Sequence, residues 1–96
     1  MANPDHNILV MEENGTAVGV GRAELKNASY YLSWFISPDF FGKGHGTTLV
    51  KHLVQTFQPC MAEIQDDNIP SMKVAEKAGL VNTNEIIDGF YQFKQP

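Results

Sequence analysis

The chain has 96 residues, of which 43% are hydrophobic and 19% charged, enough for one small domain and too apolar for a disordered chain. Seven Lys and Arg against eleven Asp and Glu give a net charge of −4, which argues against a nucleic-acid partner, because phosphate binding rests on clustered cations. A chain this short buries only about 60–65% of its unfolded surface, so the expected core is thin.

No apolar run approaches the roughly 18–20 residues that span a bilayer. The opening Met1-Ala2-Asn3-Pro4-Asp5-His6 has neither the basic nor the apolar region of a signal peptide. Cys60 is the one cysteine and has no internal partner. The reading is a reduced, cytoplasmic protein without membrane contact, in which Cys60 serves as a small core hydrophobe.

Ile8 to Glu12 is a short apolar run that stops at Glu13-Asn14-Gly15-Thr16, and Asn-Gly between two such runs predicts a hairpin. The returning strand, Ala17 to Leu25, is interrupted by Gly19 and Gly21, which weaken a strand but permit close approach of another group. After a turn at Lys26-Asn27-Ala28-Ser29, Tyr30 to Ile36 reads as a third strand, with Leu32, Trp34 and Ile36 on one face and Tyr31, Ser33 and Phe35 on the other. Pro38 ends it. Leu49, Leu53 and Phe57, with Val50 and Val54 beside them, make one helical stripe that Pro59 closes.

Met61 to Ile64 then predicts a fourth strand, entered from a helix and parallel to the third. Asn68 is a favoured N-cap, Pro70 fits the first turn of a second helix, and Gly79 followed by Leu80 is the stop signal. Two short runs around Asp88-Gly89 complete the tail. The expected class is α+β, a single domain over residues 1–96, with a mostly antiparallel sheet and the order β-β-β-α-β-α-β-β.

The most informative stretch is Gly42-Lys43-Gly44-His45-Gly46-Thr47, between a strand and a helix. Glycines let the backbone approach a ligand, and free N–H groups at a helix N-terminus attract anions. The spacing is neither a Walker loop nor a dinucleotide fingerprint. By itself the stretch reads as a phosphate cradle or as a non-binding loop.

In context the chain resembles the GNAT acetyltransferases, whose acetyl-CoA loop has the pattern Gln/Arg-x-x-Gly-x-Gly/Ala. The matching residues are Phe41-Gly42-Lys43-Gly44-His45-Gly46, preceded by Ser33-Trp34-Phe35-Ile36-Ser37-Pro38. They are followed by Ala62-Glu63-Ile64, Asn68-x-x-Ser71 and Glu76-Lys77-x-Gly79-Leu80. The branch it looks most like acetylates protein N-termini, ribosomal proteins among them, or small amines. The resemblance implies acetyl-CoA as cofactor. Pyrophosphate would rest on the N–H groups of Gly42 to Thr47, and pantetheine would bond the backbone of Ile36 and Ser37, in a split between the third and fourth strands. Asn68 would bond the pantetheine from the other lip or serve as a plain N-cap.

Two positions depart from the family pattern: Phe41 replaces its Gln or Arg, and Ala75 stands where many members carry an acid Tyr. Amine acetylation needs a deprotonated amine, a polarised carbonyl and a proton for the leaving thiolate. Ser71 is an acid candidate or a local backbone partner, and Tyr91 an acid candidate or a core aromatic. Glu63 and Glu24 are base candidates or solvated strand carboxylates. His6, His45 and His52 lack metal-ligand spacing, so no metal is expected.

The resemblance also implies a preceding strand and two helices walling the acceptor site, which this sequence lacks. Either a homodimer or a covering partner subunit lies over the sheet face those elements would cover, or the apolar surface exposed there is small, or the sequence is a fragment; a dimer is the expectation. The expected function is acetyl-CoA-dependent N-acetyl transfer, directly to a small amine, a lysine or a protein N-terminus. The alternative is a catalytically weak acetyl-CoA or CoA sensor or partner subunit.

Overall fold

Asn14 and Gly15 take φ of 52° and 81°, a conformation whose twist matches two antiparallel strands. They join β1 (His6–Glu13) to β2 (Thr16–Lys26). A second tight turn leads to β3 (Ser29–Ile36), and a short 3-10 turn at Pro38–Phe40 precedes helix α1 (His45–Thr56). Then follow β4 (Cys60–Gln65), α2 (Ile69–Lys77), β5 (Val81–Ile87) and β6 (Phe90–Lys94). This computed structural model describes residues 6–96; residues 1–5, read above for a targeting signal, lie outside them.

The six strands form one sheet in the order β1-β2-β3-β4-β6-β5. Its neighbours are antiparallel except β3 and β4, which run parallel. The order expected from the sequence is thus the order found. The strands extend a residue or two beyond the sequence boundaries, because ladder pairing runs up to the turns, as at Lys26↔Ser29.

Both helices cover the same sheet face. Leu49 and Leu53 of α1 and Met72 and Ala75 of α2 share one cluster with Ala23, Leu32, Ala62, Ile64 and Phe93 from four strands. Phe93, Leu53, Val18 and Val50 are the largest fully buried side chains, each worth about 1.5–3 kcal/mol of burial. Gly79 takes φ +99° and lets Leu80 N–H close onto Ala75 O at 3.0 Å, which ends α2 and buries Leu80. No helix among the described residues is long and apolar enough to cross a membrane.

Pairing between β3 and β4 is confined to Tyr30↔Cys60 and Tyr31↔Met61. Beyond that point β3 stays with β2 as far as Gly19↔Ile36, and β4 stays with β6 as far as Gln65↔Phe90. Each strand follows its outer neighbour, so the sheet opens as a V towards the C-terminal ends of β3 and β4.

The two β2 glycines serve packing. A Cβ at Gly21 would lie 2.9 Å from Leu53 Cδ1, the end of a side chain, whereas at Gly19 it would lie 2.6 Å from Ile36 Cδ1 and 2.9 Å from the Phe35 carbonyl oxygen. A side chain can turn away; a ladder carbonyl cannot. Gly19→Ala is therefore expected to cost about 1–3 kcal/mol, as overpacking does, and to be worse than Gly21→Ala. Urea midpoints of the two variants check this, and equal midpoints would contradict it.

Candidate functional site

At one end of the V lies the glycine loop. Gly42 and Gly44 take φ of 77° and 80°, and a Cβ at either would meet nothing within 4 Å. Backbone conformation, not crowding, demands glycine there. Gly44 is the N-cap of α1, with no side-chain hydrogen bond to the helix's first turn. Its amides are left for an outside acceptor, at the end of the helix where the dipole favours negative charge. Thr48 N–H donates to Gly44 O at 3.1 Å, and the Thr48 hydroxyl to the same oxygen. Lys43 Nζ hangs over the Phe40 ring at 5.3 Å, adding a cation beside the loop.

Gly46 does a different job. A Cβ there would press on Val74 Cγ2 at 3.3 Å and approach Ile36, so this glycine lets α1 lie against α2 and the end of β3. His45 Nε2 lies 3.3 Å from a Glu13 carboxylate oxygen without a hydrogen bond to it, where the start of α1 meets the β1–β2 hairpin. Phe41 points outward, 63% exposed. Ser37 N–H donates to Val18 O at 2.8 Å, so β3 is bonded towards β2 up to its end while its other edge faces the V.

Two cavities open off the split. One of about 180 Å³ is lined by Trp34, Ile64, Gln65, Asn68 and Ser71, the other of about 250 Å³ by Arg22, Glu24, Lys26 and Tyr31. Leu32, Ser33, Glu63 and Phe90 line both, so Glu63 stands where they meet. Asn68, Ser71 and Glu63 are thus brought together. Val74, against which Gly46 packs, follows Ser71 by about one turn of α2, which links the glycine loop to the first cavity.

Asn68 is the N-cap of α2, its side-chain oxygen accepting from Ser71 N–H at 3.3 Å. That leaves the Asn68 amide nitrogen and the Ser71 hydroxyl for other partners. Tyr91 lines neither cavity; it packs against the core cluster on the helix side. Ala75 is fully buried and offers no hydroxyl.

Glu24 sits among cations. Its carboxylate accepts from Arg22, lies 3.3 Å from Lys26 Nζ and 3.7 Å from His6 Nδ1. Partial desolvation pushes its pKa up, but the Lys26 hydrogen bond and the charges of Lys26, His6 and Arg22 outweigh this and hold it below the ordinary 4.5. A carboxylate so held is a weak base.

Sequence reasoning missed Gln92. It is 3% exposed, and its Nε2 donates to Glu63 Oε2 and to Phe90 O, both at 3.1 Å. The signal was a polar residue between Tyr91 and Phe93 in a short apolar strand; its meaning depends on the Glu63↔Gln92 register. No group of three His, Cys, Asp or Glu among the described residues is arranged to hold a metal ion.

The depressed Glu24 pKa has a stability consequence. Above the ordinary carboxylate range the ion pairs stabilise the fold, and that contribution is lost as pH falls through the lower folded value, because the unfolded state takes up the proton first. The urea midpoint of the native protein should therefore fall more steeply below about pH 5 than that of Glu24→Gln. The difference should shrink in high salt, which screens exposed pairs; parallel curves would contradict the assignment.

A sequence model of the acetyltransferase (GNAT) family matches residues 1–80. No curated protein matches the sequence. Among solved structures, the chain is similar to the GNAT domain of S. lividans PAT, with TM-score 0.82 and 17% identity over 93% of this chain and 59% of that one. It is similar to the aminoglycoside acetyltransferase AAC(6')-Ib in complex with coenzyme A, with TM-score 0.79 and 17% identity over 95% and 66%. The microcin C7 self-immunity acetyltransferase MccE, in complex with acetyl-CoA and AMP, superposes with TM-score 0.75 and 21% identity over 93% and 58%. The likeness is one of fold, and the chain spans less than two thirds of each of these structures.

Proposed function

This chain belongs to the acetyltransferase (GNAT) family, and from that premise we propose that it is an acetyl-CoA-dependent N-acetyltransferase acting directly on a primary amine. The observation that carries the reading is the split between β3 and β4, with an open glycine cradle at one end and Glu63 at the junction of its cavities. Similar structures bear the names of aminoglycoside and spermidine acetyltransferases, and some hold coenzyme A or acetyl-CoA.

The residues fit the cofactor. The loop from Gly42 to Thr47 would hold its pyrophosphate, with Lys43 beside it; the β3 backbone around Ile36 and the Asn68 amide would hold its pantetheine arm. When bound, acetyl-CoA supplies the acyl group: a C–N bond to the amine forms, the C–S bond breaks, and coenzyme A leaves as the thiol. Glu63, held by Gln92, takes the amine's proton directly or through one water. The Ser71 hydroxyl donates a hydrogen bond to the departing sulfur and relays a proton to it from water. Cys60 is buried in the core and lines neither cavity, so it is not placed to carry the acyl group, which fits direct transfer.

A second reading, a coenzyme A sensor or partner subunit with weak catalysis, is favoured by buried Ala75 in place of an acid. Titration separates the two. Acetyl-CoA at 100 times its dissociation constant should raise stability by about 2.7 kcal/mol, and Gly44→Asp, which sets charge and bulk in the cradle, should abolish the rise. Glu63→Gln should keep the rise and lower kcat by about 10²-fold or more. No rise sinks both readings; a rise without thiol release from any amine leaves the sensor.

The helix-free sheet face supports a homodimer or a covering partner. The register aligns Val10, Val20 and Phe35 across three strands, and with Ile8 they are exposed, an apolar row that a partner surface would cover. Sedimentation should find a dimer that Val20→Lys dissociates; a monomer at all concentrations shifts the reading to another subunit.

A further inference from the structure

The larger cavity lies on the helix-free side of the V, and its charges are sorted along the sheet. Arg22 pairs with Ser33 across β2 and β3, and Glu63 pairs with Gln92 across β4 and β6, with the split between Ser33 and Glu63. One row thus runs cation, hydroxyl, split, carboxylate. Lys26 joins Arg22 at the cationic end.

Glu24 neutralises only one of those two cations. Arg22 and Lys26 both lie against its single carboxylate, so that end keeps an excess of one positive charge in a protein of net charge −4. Both cationic side chains are about half exposed while the Glu24 side chain is 20% exposed, so the more shielded group is the anion and the cations keep open surface for a ligand. The opposite end offers the Glu63 carboxylate, with Gln92 behind it. Tyr31, Leu32 and Phe90 provide the apolar wall between.

A cavity charged positive at one end and negative at the other complements a molecule charged the opposite way. We infer that this cavity is the acceptor site and that it selects small amines bearing an anionic group a few bonds from the nitrogen. The amine meets Glu63, and the carboxylate or phosphate meets Arg22 and Lys26. Arg22 supplies a planar fork suited to either anion. A volume of about 250 Å³ suits a small metabolite. A polycation would have to place its second charge against the cationic end, which costs affinity.

The inference rests on the acetyltransferase reading, and the experiment separates the two. Thiol release from acetyl-CoA is measured for the intact protein with matched acceptors: 4-aminobutyrate against n-butylamine, O-phosphoethanolamine against ethylamine, and spermidine. The expected result is a kcat/KM at least tenfold higher for an anionic amine than for its neutral counterpart, with spermidine below both. The carboxylate and phosphate arms tell which anion the fork prefers. Arg22→Met and Lys26→Met should each bring the anionic-to-neutral ratio towards one, chiefly through KM, and Arg22→Glu should reverse the order in favour of spermidine. A folded variant is verified by an unchanged acetyl-CoA thermal shift. Equal or better turnover of n-butylamine or spermidine by the native protein overturns the acceptor assignment and leaves the acetyltransferase standing. A thermal shift without turnover of any amine overturns both.

Discussion

The site depends on two parallel strands that stop pairing after two residues each. β3 and β4 meet only at Tyr30↔Cys60 and Tyr31↔Met61, after which the facing edge of β3 has no strand opposite it. Backbone polar groups left this way need another partner, and an extended amide-bearing ligand provides one in the manner of an added strand. The split is stable because neither half depends on the other's ladder. β1, β2 and β3 form one antiparallel set, β4, β6 and β5 another, and the core joins Ala23 and Leu32 from the first to Ala62, Ile64 and Phe93 from the second. The helices bridge the halves, with α1 on β2 and β3, α2 on β4 and β5, and Gly46 letting the two helices touch.

The three alternating glycines of the loop show how one motif can carry separate physical duties. Gly42 and Gly44 need positive φ and have open space around them; Gly46 sits within α1 and is constrained by Val74. The candidate cradle and a helix crossing therefore share five residues, so the geometry of the loop is coupled to the packing of α2, which carries Ser71. Anything that moves α2 moves the lip of the first cavity and the floor of the cradle together.

Periodicity and turn chemistry carried most of the fold. Asn14-Gly15, Asp88-Gly89 and Gly79-Leu80 each specify a local geometry that no distant contact needs to correct, and the alternation in Tyr30 to Ile36 assigns Phe35 and Leu32 to opposite faces, as found. The loop and the Asn68 cap were legible for the same reason: both are local. The charge arrangement was not, because it depends on register. Arg22 and Glu63 are far apart in the chain, and Gln92 acquires a purpose only when β6 aligns it with Glu63. Tyr91 lines neither cavity for a related reason: alternation turns it to the helix side with Phe93, while Phe90, of opposite parity, lines both.

The buried Ala75 bears on how much acid the chemistry needs. A simple thiol has an ordinary pKa of about 8.5, so expelling it as a thiolate near pH 7 forgoes only about 2 kcal/mol relative to leaving protonated. An alkylamine is another matter: like a lysine side chain, it holds its proton up to about pH 10, and nothing happens until that proton is removed. The base is thus the harder role to replace. On the proposed reading Glu63 takes that role, standing at the meeting of two cavities and fixed in position by the buried Gln92 amide. Ala75 is given over to core packing. On that reading the site is organised around the nucleophile, which is also where its charge sorting lies.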